Sequence, residues 1–164
     1  MSKIDRRLDE LGITLPTPWA LPSSVVIPAS LIKVRGKRVV ISGHVPTNAD
    51  GSLAGPLGRV GDEVSPEEAY EAARRTLLSI LASLKAKIGD LDQIVAWVRI
   101  CGMFVPAPGF IDFPRALNGA SELIQEVFGP EIADHARLAI GVAALPFNAP
   151  LEIEGELELA SALP

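Results

Sequence analysis

The longest regular hydrophobic pattern in the chain lies between residues 65 and 89 and predicts an amphipathic helix. Ser65, Pro66 and Glu68 form its start signal, because serine and glutamate at this spacing close a capping box and proline suits the first turn. Gly89 is placed to end the helix. The apolar face repeats at steps of three or four residues and consists of Ala69, Ala73, Leu77, Leu81, Leu84 and Ile88.

The same spacing indicates two further helices. One ends at Gly129, and its apolar face consists of Leu117, Ala120, Ile124 and Val127. Asn118 and Gly119 lower the helix propensity of this segment, which either an exposed polar turn or contact with a ligand would explain. At the N-terminus, Ser2 can cap a short helix whose apolar face consists of Ile4, Leu8 and Leu11.

Five segments carry the alternating or continuous apolar pattern of β-strands. Residues 31–35 and 38–45 flank a Gly-Lys turn and predict a hairpin. Residues 94–101 are apolar on nearly both faces and predict a central strand. Residues 137–145 and 151–159 predict the last two strands. In the final strand every second residue from 152 to 158 is glutamate, as on the solvated face of an edge strand.

Two segments without periodicity divide the chain. Residues 15–28 contain four prolines, which exclude a helix or a central strand. Residues 48–62 are rich in glycine and predict a long loop of the kind that is often functional or mobile. We therefore predict an N-terminal extension with a short helix over residues 1–23 and one globular domain over residues 24–160.

The order of these elements predicts an α+β fold. A hairpin, a helix, a strand, a helix and two strands form a mixed or antiparallel sheet with both helices on one face. The predicted strands are apolar on both sides, so the second face needs another partner. We therefore expect the chain to associate with copies of itself.

Charge and composition narrow the possible partners. A formal net charge of −5 disfavours nucleic acid, and the short basic cluster at residues 33–38 fits a solvated edge strand. The apolar runs are shorter than the roughly 18 residues that a membrane span needs, so no membrane association is expected. The first ten residues lack the apolar stretch of a signal peptide, and the single Cys101 has no partner within the chain. Both observations predict a cytoplasmic protein.

Motifs for bound cofactors are missing. His44 and His135 lie far apart and lack neighbouring ligands at zinc spacing, so no metal site is predicted and both are expected at structural or rim positions. Cys101 lies in a predicted central strand, where a small buried hydrophobe is expected. The chain has no phosphate-binding glycine motif and no serine-hydrolase elbow.

Two segments resemble the Rid (YjgF/L-PSP) family. The run HARLAIGVAALPFNAPLEIEGELE is similar to its signature, in which an Ala-Arg pair opens a strand and Leu-Pro precedes a Glu-Ile-Glu strand. VVISGHVP resembles the family's Ser-Gly element, and the likeness extends over about residues 24 to 160. The resemblance implies a chorismate-mutase-like fold, a homotrimer, and clefts between the subunits that bind small molecules.

The resemblance also implies a chemistry, namely hydrolysis of enamines and 2-imino acids to 2-keto acids and ammonia without a cofactor. Arg137 matches the family's carboxylate-binding arginine, and Glu152 matches the acidic residue that orients water. Ser42, Gly43 and Ala139 would contribute mainly backbone groups to the same cleft. Without the resemblance, an interface salt bridge is the favoured explanation of Arg137, and periodicity does not distinguish Glu152 from the other glutamates of its strand.

Three functions remain open. The first is an imine deaminase, and the second is a non-catalytic module that binds an imino or keto acid. Ala29 stands where deaminating members carry a tyrosine, which favours the second. An endoribonuclease ranks last, because the chain is acidic and lacks paired catalytic histidines.

Overall fold

The computed structural model describes residues 2–163 and contains five strands and four helices in that range. The strands are β1 (Ile32–Arg35), β2 (Arg38–His44), β3 (Ile94–Phe104), β4 (Ala136–Gly141) and β5 (Leu151–Leu159). The helices are α1 (Lys3–Glu10), α2 (Pro66–Ile88), α3 (Phe113–Phe128) and the single turn α4 (Pro130–Ala133). The predicted helices and all five predicted strands are therefore present.

The strands form one mixed sheet in the order β1-β2-β5-β3-β4. Every neighbouring pair is antiparallel except β3 and β4, which run parallel. The α+β class and the mixed sheet are confirmed. β5 is the central strand, so the prediction that its glutamates mark an edge strand was wrong. An edge strand and a central strand with one uncovered face show the same alternation, because each points every second side chain to solvent.

Helices α2 and α3 pack together and cover one face of the sheet. The Ser65 hydroxyl accepts from the Glu68 backbone N–H, and the Glu68 carboxylate accepts from the Ser65 N–H, so the predicted capping box is formed. The residues of β5 that face the helices are fully buried: Leu151, Ile153, Leu157 and Leu159. This layer holds the main hydrophobic core of the domain.

Gly119 is the contact point of the two helices. A Cβ atom at this position would lie 2.0 Å from the Tyr70 carbonyl oxygen on α2. The glycine in the middle of α3 therefore permits close helix packing, and neither a polar turn nor a ligand explains it. Its neighbour Asn118 has a different role, described below.

The opposite face of the sheet is uncovered in the single chain. It carries the β5 glutamates, two arginines that pair with them, and exposed aliphatic residues. Arg38 donates to both carboxylate oxygens of Glu156, at 2.5 and 2.9 Å. The aliphatic side chains on this face are between 38% and 45% exposed and include Val40, Leu138 and Ile140. We refer to this surface as the open face.

The N-terminal residues pack on the helical side of the domain. Ser2 caps α1, as predicted, and Ile4 and Leu8 are buried in the main core. The Asp92 carboxylate accepts from the backbone N–H groups of Lys3 and Ile4, both at 2.7 Å. The predicted boundary between residues 1–23 and 24–160 stays a prediction.

Two strand ends differ from those predicted by three residues or more, and the other changes are of a single residue. β3 continues to Phe104, three residues further than the alternation indicated. β4 ends at Gly141 rather than at residue 145. The pairing of β3 with β4 explains both differences, because the two strands stay paired up to Phe104 and Gly141 and no further. In the described part of the chain, no helix is long and apolar enough to span a membrane.

Substitution of Gly119 by alanine tests the helix contact. Alanine normally stabilises a helix interior by about 1 kcal/mol relative to glycine. Here the new methyl group would overlap the Tyr70 carbonyl, and overpacking of this kind costs about 1–3 kcal/mol or more. We expect Gly119→Ala to lower the free energy of unfolding in urea by about 2 kcal/mol.

Gln125→Ala is the matched control, because Gln125 is exposed on the same helix. Its effect should stay within about 0.5 kcal/mol. A Gly119→Ala variant as stable as the wild type would show that the two helices can separate without loss.

Candidate functional site

The Glu152 carboxyl group lies directly against the backbone of Gly43. A Cβ atom built on Gly43 would be 1.6 Å from Glu152 Oε1, so a side chain at position 43 and this carboxylate position exclude each other. The sequence resemblance placed both residues at one site. The structure brings them together on the open face.

An irregularity in β2 creates this contact. Ile41 pairs with Gly155 of β5, and His44 pairs with Ile153, so β2 has one extra residue between these two pairs. Such a bulge turns the strand locally and changes the direction of the residues within it. Gly43 lies in the bulge, where the missing side chain leaves room for Glu152.

Its surroundings distinguish Glu152 from the other three glutamates of β5. Glu156 pairs with Arg38, and Glu154 accepts from Arg99 at 3.3 Å. Glu158 is exposed to solvent. Glu152 is half-buried, and no donor within residues 2–163 forms a hydrogen bond with its carboxylate. A half-buried carboxylate without a protein partner is available to a ligand or a water molecule.

The environment raises the pKa of Glu152 above its ordinary value. Burial is the main cause, and the nearby negative charge of Glu154 adds to it. The same strand shows the opposite effect at Glu156, whose pKa is lowered by the hydrogen bond from Arg38. A carboxyl group with a raised pKa exchanges protons more readily near neutral pH, which is the property of a general acid or base.

Ser42, the residue before Gly43, is bound within its own hairpin. Its hydroxyl donates to the Ser30 carbonyl at 2.8 Å, and its carbonyl accepts from His44 Nδ1 at 2.7 Å. Ser42 therefore fixes the backbone of the bulge. Ala29, which precedes β1, is exposed.

Arg137 lies on the other face of the sheet. On β4 it pairs with Ile100 of β3, whose side chain is buried beneath the helices. Arg137 Nη1 donates to Asn118 Oδ1 at 2.7 Å and to Ser121 Oγ at 3.3 Å, both on α3. Ala139, two residues along β4, faces the same side and packs against the core.

The contacts with α3 orient the guanidinium of Arg137. Both acceptors bind Nη1, and within residues 2–163 no acceptor binds Nε or Nη2. The Nε and Nη2 edge of a guanidinium is a two-pronged donor that matches a carboxylate. Asn118 and Ser121 therefore hold Arg137 in a position where this edge is available for an anion.

The two predicted catalytic residues do not meet within one chain. Glu152 is on central β5 and points to the open face, whereas Arg137 is on edge strand β4 and points towards α3. The strands are two positions apart, which is about 10 Å at the usual strand spacing, and the side chains leave opposite faces. Each chain therefore carries two half-sites: one formed by Gly43 and Glu152, the other by Arg137 with its α3 partners.

Sequence reasoning missed the residues that hold Arg137. Asn118 was explained by an exposed polar turn or by contact with a ligand, and Ser121 was not distinguished at all. The spacing of 118 and 121 places both on one helix face, so they can share a partner. The spacing shows that Asn118 and Ser121 can bind one common group, but it does not show that this group is Arg137.

His44 and Cys101 lie at buried positions, as predicted. His44 is fully buried, burial lowers its pKa, and its Nε2 contacts Ser83 Oγ at 3.0 Å. Cys101 is buried, and burial raises the pKa of its thiol, which disfavours the reactive thiolate. Among residues 2–163 no group of three or more His, Cys, Asp or Glu side chains is arranged to hold a metal ion.

Comparison with known proteins defines the family. The family model described as "YjgF/chorismate_mutase-like, putative endoribonuclease" matches residues 7–153. With the mixed sheet and its two covering helices, this match shows that the chain belongs to the YjgF/L-PSP family. The resemblance inferred from the two sequence segments is confirmed.

Three relatives cover nearly the whole chain. Protein TCP17 of Trypanosoma cruzi is 34% identical over 157 residues, which is 96% of this chain and 94% of TCP17. The crystal structure of Atu1372, a protein of unknown function from Agrobacterium tumefaciens, is 36% identical, with a TM-score of 0.83 over 95% of this chain and 92% of that one. A crystal structure from Shewanella oneidensis, named a "putative endoribonuclease", is 28% identical, with a TM-score of 0.87 over 96% of this chain and 100% of that one.

The raised pKa of Glu152 predicts a pH-dependent effect on stability. The folded chain binds this proton more tightly than the unfolded chain, so the group stabilises the fold below its ordinary pKa. That stability is lost as the pH rises through the raised value. Glu152→Gln removes the charge at similar volume. We expect the variant to unfold at higher urea concentration than the wild type at pH 7, and the difference to shrink at pH 4.

Glu158→Gln is the control, because Glu158 is on the same strand and exposed. It should change the urea midpoint less than Glu152→Gln at pH 7. A Glu152→Gln effect of equal size at both pH values would contradict the assigned burial of this carboxyl group.

Proposed function

We propose that the protein works as a homotrimer in which the Arg137 half-site of one copy faces the Gly43 and Glu152 half-site of the next. The main support is the placement of Arg137 and Glu152 on opposite faces of one sheet. Two residues that act on one small molecule must lie within a few ångströms of it. A second copy supplies that proximity, whereas rearrangement within one chain would require the sheet to come apart.

The open face supports association between copies. It carries exposed aliphatic side chains and two ion pairs on the same side of the sheet as Glu152, and no helix of residues 2–163 covers it. Exposed aliphatic patches surrounded by polar groups are typical of protein interfaces. A closed ring of copies buries this surface in every subunit.

For the chemistry we propose hydrolysis of a small 2-imino acid to a 2-keto acid and ammonia, without a cofactor. The free edge of Arg137 binds the substrate carboxylate bidentately. Glu152 takes a proton from water as the oxygen attacks the imine carbon, and it passes this proton to the imine nitrogen, which gives a carbinolamine. Glu152 then takes the proton of the carbinolamine hydroxyl and returns it to the nitrogen, so that the carbon–nitrogen bond breaks and ammonia leaves as the keto group forms. The raised pKa of Glu152 suits a group that takes up and returns a proton within one cycle.

The second candidate is a non-catalytic module that binds the same carboxylate ligand. Ala29 favours it, because it is small and exposed at the position where deaminating members have a tyrosine. In this case the half-site of Arg137 would still bind a keto acid, but no product would form. Ribonuclease activity appears in the description of the family, but the net charge of −5 gives an RNA strand no electrostatic attraction.

Mixing two inactive variants tests the shared site. Arg137→Ala and Glu152→Gln should each abolish release of 2-keto acid from enzymatically generated 2-iminopropionate. When the two are unfolded together and refolded as a 1:1 mixture, some interfaces combine an intact Arg137 with an intact Glu152. Random assembly makes this combination in about one quarter of the sites. We expect the mixture to recover activity up to about that fraction.

The control is the same mixture assembled from the two proteins without unfolding and subunit exchange, which should stay inactive. Light scattering should give the mass of three chains for all samples. Inactivity of the exchanged mixture, with active wild type treated in parallel, would mean that Arg137 and Glu152 serve the same chain's own site.

Thermal unfolding with keto acids separates the enzyme from the binding module. A ligand that binds only the folded state raises its stability by RT ln(1 + [L]/Kd). We expect pyruvate or 2-oxobutyrate to raise the melting temperature of the wild type but not of Arg137→Ala. A shift without turnover of imine supports the binding module. No shift with any of a panel of keto acids would argue against both functions.

A further inference from the structure

A chain of polar contacts next to Arg137 is not used by the proposed function. His135 Nδ1 contacts the Ala133 carbonyl oxygen at 2.5 Å, and His135 Nε2 contacts Ser121 Oγ at 3.0 Å. Ser121 Oγ in turn accepts from Arg137 Nη1 at 3.3 Å. A backbone carbonyl, an imidazole, a hydroxyl and a guanidinium are therefore connected in series.

The hydrogen-bond partners define the role of each atom. The Ala133 carbonyl can only accept, so Nδ1 of His135 carries a proton, and in the neutral imidazole Nε2 then carries the lone pair. The Ser121 hydroxyl then donates to Nε2. A hydroxyl that donates to an imidazole nitrogen, with the imidazole oriented through its other nitrogen, is the arrangement of a nucleophile and its general base.

A second serine–histidine pair has the same hydrogen-bond arrangement, but it is buried away from solvent. Ser83 Oγ lies 3.0 Å from His44 Nε2, and His44 Nδ1 contacts the Ser42 carbonyl. His44 is 0% exposed and Ser83 6%. That pair connects α2 to the sheet, so the hydrogen-bond geometry alone does not indicate chemistry.

Two features distinguish Ser121 from Ser83. Ser121 and His135 are half-buried, and they line a cavity of about 350 Å³ that Arg137 also borders. Arg137 places a positive charge beside the hydroxyl, close to where an oxyanion would form on the substrate. Two carboxylates, Glu122 and Asp134, border the same cavity and repel an anion, so only the Arg137 side of the cavity suits a substrate carboxylate. Glu122 accepts from the Tyr70 hydroxyl at 2.6 Å.

We propose that Ser121 is a nucleophile for small esters or thioesters that also carry a carboxylate. This reaction goes beyond the proposed imine hydrolysis and does not involve Glu152. Ser121 Oγ attacks the acyl carbon, and His135 Nε2 takes the serine proton. The bond to the leaving oxygen or sulfur breaks, and that atom receives the proton from His135. The acyl group remains on Ser121 until water, activated in the same way, releases it as a carboxylic acid.

The carboxylate requirement follows from Arg137. Its Nε and Nη2 edge is free of partners among residues 2–163, and its Nη1 already contacts the serine. A substrate carboxylate on that edge holds the acyl carbon of the same molecule near Ser121 Oγ. A neutral ester lacks this anchor.

The test is acylation of the wild-type protein by 4-nitrophenyl hydrogen succinate, followed by release of nitrophenolate and by intact-protein mass. We expect one acyl group per chain, located on Ser121 by peptide mapping, and slower acylation by neutral 4-nitrophenyl acetate. Ser121→Ala should remove the label. His135→Gln should slow acylation by about 100-fold, the usual contribution of a general base.

Ser83→Ala is the matched control, because it removes the hydroxyl of the buried serine–histidine pair. The label on Ser121 should persist in this variant, and circular dichroism verifies that each variant is folded. Labelling of another residue, an unchanged rate in folded His135→Gln, equal rates with the neutral ester, or no acylation would each overturn the proposal. Those results would leave Ser121 and His135 as a structural connection between α3 and β4.

Discussion

The alternation of residues along β5 is the constraint on which the fold and the candidate site both depend. Its apolar residues form the floor of the core under α2 and α3, and its glutamates occupy the open face. Because successive side chains of a strand point to opposite faces, a shift of one residue would bury four carboxylates and expose the core. The alternation therefore excludes every shift of β5 against β2 and β3 by an odd number of residues. The observed register also places Glu152 next to Gly43.

Much of this architecture is predictable from the sequence, because it follows from local signals. The capping box at Ser65, the apolar face of α2 and the alternation in β5 need no information from distant residues. The position of β5 in the sheet was not predictable in this way. A central strand with one uncovered face and an edge strand have the same period, and only pairing with β2 and β3 distinguishes them.

The candidate site is also only partly predictable from local sequence signals. The family signature identified Glu152 and Gly43, but the bulge that joins them arises from a mismatch of one residue between β2 and β5. Such a mismatch is a property of two strands together. Gly119 is a similar case. A glycine is required at this position because of the carbonyl of Tyr70, which is about fifty positions earlier in the chain. The placement of Arg137 and Glu152 on opposite faces follows from the register of β4 on β3, which sets Arg137 opposite Ile100 and which no periodicity reveals.

The two half-sites have a consequence for the way in which activity depends on assembly. If a complete site exists only between copies, the concentration of active sites follows the association equilibrium of the chain. In the proposed assembly the bound ligand contacts both copies, so by linkage it also favours the assembled state over the separate chains. Within residues 2–163 the half-buried carboxylate of Glu152 has no hydrogen-bond partner, and its charge is disfavoured by that burial. Under the proposed function the Nε and Nη2 edge of Arg137 from the next copy binds the carboxylate of the substrate rather than that of Glu152. Association and carboxylate binding are then coupled through the ligand that two copies share.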